Sequence, residues 1–227
     1  MKIYLISYTS GDYRIREEYI LSLQNIGFDS VICYRREWLE TTDFYLENKE
    51  ILDMSRGGGY WLWKPYVIIE TIKKINDGDV VFYIDAADTI RNNYILNKIK
   101  LYMINNDYMI AGSHKRRLNK YYTKRDTFIL MDCDEGKYYN ARQIEAGTVI
   151  FKKTKSIETF LNEWLYYCKN INIITNIPNI HGKNLRGFID HRSDQSILTN
   201  LVIKHNMKYN EVLYSQIKHN AFKLKKP

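Results

Sequence analysis

The chain has 227 residues, 45% of them hydrophobic and only three of them proline, so it can bury one sizeable core and is not a disordered polymer outside its ends. Lys and Arg number 34 against 26 Asp and Glu, and the net charge of +8 favours an anionic partner without choosing among nucleic acid, anionic lipid and nucleotide diphosphate. The longest apolar runs fall far short of the roughly 20 residues of a membrane span, and the first seven residues are too short an apolar stretch for a secretory leader.

Residues 2–8 read as a first strand. A helix is expected after Ser10-Gly11-Asp12, with Ile15, Tyr19, Leu23 and Ile26 on one face and Gly27 as its stop. Residues 31–34 make a second short strand, which completes a β-α-β unit of the nucleotide-binding kind. Another helix starts near Pro65, turns Ile68, Ile69, Ile72 and Ile75 inward, and stops at Asn76-Asp77-Gly78. Val80 to Ile84 is an unbroken β-branched and aromatic run, as in a strand buried on both faces of a parallel sheet. Residues 108–112 and 146–151 are further strands. A helix with Ile157, Phe160, Leu161, Trp164, Leu165 and Cys168 at helical spacing follows. The last one begins at Ser193 or Asp194 and presents Ile197, Leu198, Leu201 and Val202 to the core, with His205 on the same apolar face. This alternation gives an α/β, Rossmann-like fold of one domain over residues 1–227, with a mostly parallel central sheet flanked by helices and a poorly defined basic segment from about 206. Cys33, Cys133 and Cys168 are odd in number and scattered, which fits neither a disulfide framework nor a zinc site, so they read as reduced thiols in a cytosol.

Three constellations can carry chemistry. Asp85 and Asp88 lie just past the carboxyl end of the buried 80–84 strand, with two small alanines, Ala86 and Ala87, between them. Ligands of open α/β sheets sit at that edge, and one or two carboxylates suffice to hold Mg²⁺ or Mn²⁺ against a diphosphate. For an isolated Asp at a strand end, a cap is the better explanation. The second is Arg56-Gly57-Gly58-Gly59-Tyr60-Trp61-Leu62-Trp63-Lys64-Pro65, where glycines allow close backbone approach, a helix start follows, and Arg56 and Lys64 can meet phosphate. It is not a Walker loop. The third, Asp190-His191-Arg192-Ser193-Asp194-Gln195, holds more polar groups than a cap requires and suits sugar hydroxyls.

Taken in order, Gly57 to Pro65, Tyr83-Ile84-Asp85-Ala86, Gln143-Ile144-Glu145-Ala146-Gly147 and His191 to Ser196 resemble the small GT-A-fold glycosyltransferases of bacteria and large DNA viruses, over roughly residues 1–205. The resemblance implies transfer of a sugar from a UDP- or GDP-sugar to a glycan or protein-linked acceptor, in the cytoplasm of a bacterium or of a viral host. It implies a nucleotide cradle at Ser7 to Asp12, with Ser7, Tyr8 and Thr9 from the first strand, and donor contacts from Arg56, Gly59, Tyr60, Trp61, Lys64, Tyr83 and Ala86. Ala146 and Gly147 would lie by the donor sugar, Asp194, Gln195 and His191 near the reacting centre, and Asp85 with Asp88 at a Mn²⁺ or Mg²⁺ ion. The second acid follows the first by three positions, where the common pattern is Asp-x-Asp. His191 and His219 are candidates for a third metal ligand.

Two other readings compete. A haloacid-dehalogenase-like phosphatase also places acids after an apolar strand, but Asp88 comes one residue late for it. His114-Lys115-Arg116-Arg117 suits nucleic acid, yet no nucleic-acid motif accompanies it, and nucleic acid is not the expected partner. A non-catalytic nucleotide-sugar binder keeps the same residues without turnover.

Overall fold

The structure, a computed structural model, describes residues 1–114 and 116–218. Lys115, His219 and the tail lysines Lys223, Lys225 and Lys226 lie outside the described residues.

Five strands form the central sheet: β1 (Ile3–Thr9), β2 (Ser30–Arg35), β3 (Val80–Ile84), β5 (Tyr108–Gly112) and β6 (Ile144–Lys152), in the order β2-β1-β3-β6-β5. β1 pairs in parallel with β2 and β3, while β6 runs antiparallel to both β3 and β5. Four strands therefore point the same way and β6 alone is reversed, inserted between the two ends of an otherwise parallel sheet. Two short strands, β4 (Thr89–Ile90) and β7 (Ile217–Lys218), pair as a separate ribbon directly after the acidic turn.

The pleat divides β3 between two cores. Val81 and Tyr83 face helices α2 (Trp63–Lys74), α4 (Lys155–Cys168) and α5 (Ser193–Lys204), with Ile68, Leu161, Trp164 and Leu198 in the same cluster. Val80, Phe82 and Ile84 face the opposite layer, with Ile20 of α1 (Glu17–Ser22) and Ile99 of α3 (Ile95–Met103). Every residue of β3 is buried, as its continuous apolar run predicts.

The first helix departs from expectation. Residues 11–26 form a 3₁₀ turn, the short α1 and a second 3₁₀ turn, and Ile15 is 68% exposed. Only Ile20 and Leu23 of this segment are buried, so the apolar face is too narrow to hold a continuous helix. Gly27 does end it, at a φ of 99°. His205 is likewise not a core residue: it sits at the end of α5, half exposed, with Nε2 2.6 Å from Glu163 Oε2.

Candidate active site

The acidic turn is shaped by the sheet and by one arginine. Asp85 leaves β3 and donates its backbone N–H to the carbonyl of Gly147 on reversed β6 at 2.7 Å, and Asp88 N–H closes the turn onto the Asp85 carbonyl at 2.9 Å. Arg16 grips the turn from outside, donating Nε to the Ala86 carbonyl at 2.9 Å and a second nitrogen to the Asp88 carbonyl at 3.1 Å. The reason for a glycine at 147 is spatial. A Cβ there would stand 3.0 Å from Asp85 Oδ2 and 3.0 Å from Asp88 Oδ2, so the two carboxylates converge on the space a side chain would fill. The three-residue spacing of the acids thus brings their oxygens together across the turn. Among the described residues no group of three or more His, Cys, Asp and Glu side chains could hold a metal ion on its own.

Lys64, from the first turn of α2, is 2% exposed and reaches across beneath this turn. Its Nζ lies 2.9 Å from Asp194 Oδ2 and 3.2 Å from Asp85 Oδ1, and it donates to the Ala146 carbonyl at 3.2 Å. Burial disfavours its charge, but the Asp194 and Asp85 carboxylates outweigh burial and hold the ammonium above the ordinary lysine pKa. Asp194 answers to the same forces with the opposite outcome: burial pushes its carboxyl up to about 6 although Lys64 pulls it down. The cap position of α5 belongs to Arg192, and Asp194 turns its Oδ2 to Lys64. Tyr83, wholly buried, donates its hydroxyl to Asp85 Oδ1 and fixes the rotamer of that carboxylate.

The glycine run does more than admit a ligand. Gly57, Gly58, Gly59, Tyr60 and Trp61 all have positive φ, between 51° and 98°, so the chain makes a left-handed turn before α2 begins. Left-handed backbone costs a residue with a Cβ about 1–2 kcal/mol, which glycine escapes. Gly59 is required a second time, since a Cβ would come within 2.6 Å of the Leu52 backbone. The turn walls a cleft of about 650 Å³ lined also by Tyr8, Ser10, Trp63 and Ala86. Tyr8 stacks on Trp63 with ring centroids 4.0 Å apart, and Trp63 Nε1 donates to the Gly57 carbonyl at 3.0 Å. Among the described residues no group meets the buried Tyr8 hydroxyl in good hydrogen-bond geometry, although the Arg36 guanidinium stands near it.

A second pocket, of about 150 Å³, adjoins the cleft at Trp61 and Asp85. It gathers nine residues singled out from sequence: Arg56, Trp61, Lys64, Asp85, Asp88, Ala146, Gly147, Asp194 and Gln195. Arg56 is tied to Asp190 Oδ2 at 2.7 Å and to the His191 carbonyl at 3.0 Å, which joins the glycine turn to the segment before α5. Burial opposes ionisation of Asp190, yet the Arg56 guanidinium holds its carboxyl below the usual range.

Other expected residues stand elsewhere. Along β1 only Tyr8 faces the cleft, while Ser7 donates to the Ile84 carbonyl at 2.7 Å and Thr9 Oγ1 sits 3.6 Å from Cys33 Sγ, because successive strand residues point to opposite faces. Gly59 is a packing glycine, Tyr60 is buried with its hydroxyl on Asn176, and Tyr83 orients Asp85 from behind without lining either pocket. His191 is corrected most plainly. It is buried, Nδ1 accepts the Lys124 N–H at 3.3 Å, and Nε2 meets the Ile173 carbonyl at 2.8 Å, so neither nitrogen is left for a metal or a substrate. Burial lowers its pKa to about 3 and keeps it neutral. Trp63, Glu145 and Arg192 belong to the sequence motifs without a role of their own, and Arg117 only to the basic loop; the structure sets Trp63 on the cleft and the other three on the pocket. Trp63 had a signal, being two positions from Trp61 in the same motif. Arg192, two positions before Asp194, and Glu145, beside Ala146, had one as well, whereas Arg117 approaches the pocket through the tertiary fold.

No protein-family profile matches the sequence, and no curated protein matches it. Solved structures do resemble the fold. Mouse xyloside xylosyltransferase 1 aligns over 92% of this chain and 84% of its own, with 10% identity and a TM-score of 0.50. The bifunctional glycosyltransferase WbbM aligns over 88% of this chain and 37% of its own, with 10% identity and a TM-score of 0.50. A glycosyltransferase involved in glycosylation of the major capsid of PBCV-1 aligns over 84% and 82%, with 14% identity and a TM-score of 0.43. The mixed sheet and its helical layers are the GT-A fold, which the chain shares with these structures.

Proposed function

We propose that the chain transfers a sugar from a nucleotide-diphosphate sugar to a hydroxyl of a glycan or another acceptor, with Mn²⁺ or Mg²⁺ bound during transfer. One observation carries the reading: a nucleotide-sized cleft and a smaller charged pocket meet at Asp85, where the sugar–phosphate bond of a bound donor would lie. The nucleotide would occupy the cleft, with its base against Tyr8 and Trp63. The convergence of Asp85 Oδ2 and Asp88 Oδ2 on Gly147 fits a cation held by two carboxylates and completed by water and diphosphate oxygens. Such an ion supplies Lewis-acid stabilisation of the departing diphosphate.

The protein's own groups have separable tasks. Lys64 sets the rotamers of Asp85 and Asp194 and keeps net negative charge in the pocket low enough for a diphosphate to enter. Asp194, beside Ala146 and Gly147, is within the pocket of the donor sugar and acts there as base or orienting acceptor for a hydroxyl. The stacked Tyr8–Trp63 wall excludes water from the nucleotide. The test is hydrolysis and transfer of UDP- and GDP-sugars with Mn²⁺, with Mg²⁺ and with chelator, by wild type and Asp194→Asn. Turnover of at least one donor, lost in Asp194→Asn while nucleotide affinity is retained, is expected. Full turnover by Asp194→Asn would confine that residue to packing.

A further inference from the structure

We infer that Gln143 is a positioning residue that locks the Gln195 side chain so that it offers the small pocket an N–H donor. The inference rests on the glycosyl-transfer reading for what that donor meets. The orientation follows outward from a backbone carbonyl. Buried Asn119 donates Nδ2 to the Tyr138 carbonyl at 3.1 Å and to Asn200 Oδ1 at 2.8 Å, so its Oδ1 faces the other way and accepts the Thr123 hydroxyl at 2.6 Å. The Ser196 hydroxyl likewise donates its hydrogen, to the Tyr122 carbonyl at 2.6 Å.

Gln143, fully buried, sits among these groups. Its Nε2 is 3.4 Å from each of Asn119 Oδ1, the Tyr122 carbonyl, Thr123 Oγ1 and Ser196 Oγ. Two of these are carbonyl oxygens and two are hydroxyls whose hydrogens are already engaged, so only the N–H end of the amide fits there. A reversed amide would set its oxygen against four oxygens in a buried site. Gln143 Oε1 therefore faces Gln195 and accepts from its Nε2 at 2.9 Å, and Gln195 Oε1 turns to the Ala146 N–H at 3.4 Å. Gln195 Nε2 carries a second hydrogen in the same plane, which takes no protein acceptor among the described residues. That hydrogen is held at the pocket containing Asp194 and Gly147, where it recognises an oxygen of the donor sugar.

The test is a double-mutant cycle read on hydrolysis of UDP-glucose and GDP-mannose. Gln143→Met and Gln195→Met should each lower kcat about tenfold with nucleotide Kd unchanged, the loss of one directed hydrogen bond. The double variant should be no worse than Gln195→Met, because Gln143 acts only through Gln195. Losses that multiply would overturn the inference. Wild-type protein alone gives a second measurement: one of the two Gln195 side-chain amide hydrogens should exchange slowly by NMR, and two fast ones would overturn the orientation even if Gln143→Met failed to fold. A protected hydrogen in a protein that turns over no nucleotide sugar would instead sink the transferase reading and leave the amide orientation standing.

Discussion

The two adjoining cavities are built by opposite means. The larger is walled by a left-handed glycine turn and by stacked rings, with Tyr8 on Trp63, and owes its shape to backbone conformation. The smaller is walled by charge: Lys64, Asp85 and Asp194 hold one another in place, Asp88 Oδ2 converges with Asp85 Oδ2 beside them, and Gly147 contributes by having no side chain. A shape-built site tolerates loss of one polar group, whereas a charge-built site fails when one partner leaves, because the remaining charges stay buried. Substitutions in the two cavities should therefore differ in kind as well as in size.

The largest effect is expected at Lys64. Lys64→Met leaves Asp194 buried without its cation and should cost about 3–5 kcal/mol of stability in denaturant unfolding, along with activity. Stability equal to wild type would show that the charges of the small pocket do not depend on one another. Next is the acidic turn. Asp85→Asn should lose about 3 kcal/mol of transition-state stabilisation, a hundredfold or more in turnover, by analogy with other removed electrostatic groups. Asp88→Asn should lose less, because it leaves the contacts of Asp85 with Lys64 and Tyr83 intact. Gly147→Ala, placing a methyl between the two carboxylates, should abolish the Mn²⁺-dependent part of nucleotide binding. A Mn²⁺ titration of all three variants checks the order, and an unchanged Gly147→Ala would break the link between this convergence and a cation.

His191 sharpens the comparison from outside both cavities. Its folded pKa, about 3, lies below the ordinary 6.5, so its neutral form contributes stability fully present above pH 6.5 and lost as pH falls towards 3. Between pH 7 and pH 5 this amounts to about 2 kcal/mol, taking each pKa unit as about 1.4 kcal/mol. Urea unfolding of His191→Gln should show a loss between those pH values smaller than that of wild type by this amount. An unchanged pH slope would mean that the ring protonates in place. The smallest effect is expected in the shape-built cleft: Tyr8→Phe removes a buried hydroxyl whose contact among the described residues is a poorly aligned one with Arg36, so stability should change by less than about 1 kcal/mol. Nucleotide affinity should fall by up to about 1 kcal/mol by calorimetry if that hydroxyl meets the ligand. Unchanged affinity would leave the ring stack as the whole contribution of Tyr8.

Much of this architecture is legible in the residues themselves, and what is hidden has physical causes. Val80 to Ile84 announces a doubly buried strand, and the spacing of Ile157, Phe160, Leu161 and Trp164 announces α4, because periodic burial is written directly into composition. The reversal of β6 is not, since a strand buried on both faces carries the same residues in either direction, yet that reversal sets the Gly147 carbonyl against Asp85 N–H. Asp85, Asp194 and Lys64 stand out as polar residues at element ends, but that Lys64 spans both acids depends on a tertiary approach no local pattern encodes. His191 looked chemical for the same reason as Asp194, three residues on. Only the carbonyl of Ile173 and the N–H of Lys124, both distant in sequence, show that it is a buried strut.

The ribbon of β4 and β7 has a temporal consequence. The acidic turn is held upstream by the sheet, but the chain leaving it is held by β7, with Arg91 Nε on the Ile217 carbonyl across 126 residues of sequence. During synthesis the sheet partners of β3, the Arg16 grip and the Tyr19 hydroxyl that accepts the Ile90 N–H exist long before Ile217 does, whereas the strand partner of β4 arrives only when nearly all of the described chain has left the ribosome. A contact so distant in sequence closes late in folding as well. The turn that gathers the carboxylates thus has its sheet and Arg16 anchors early, and the strand pairing that fixes its exit is added last.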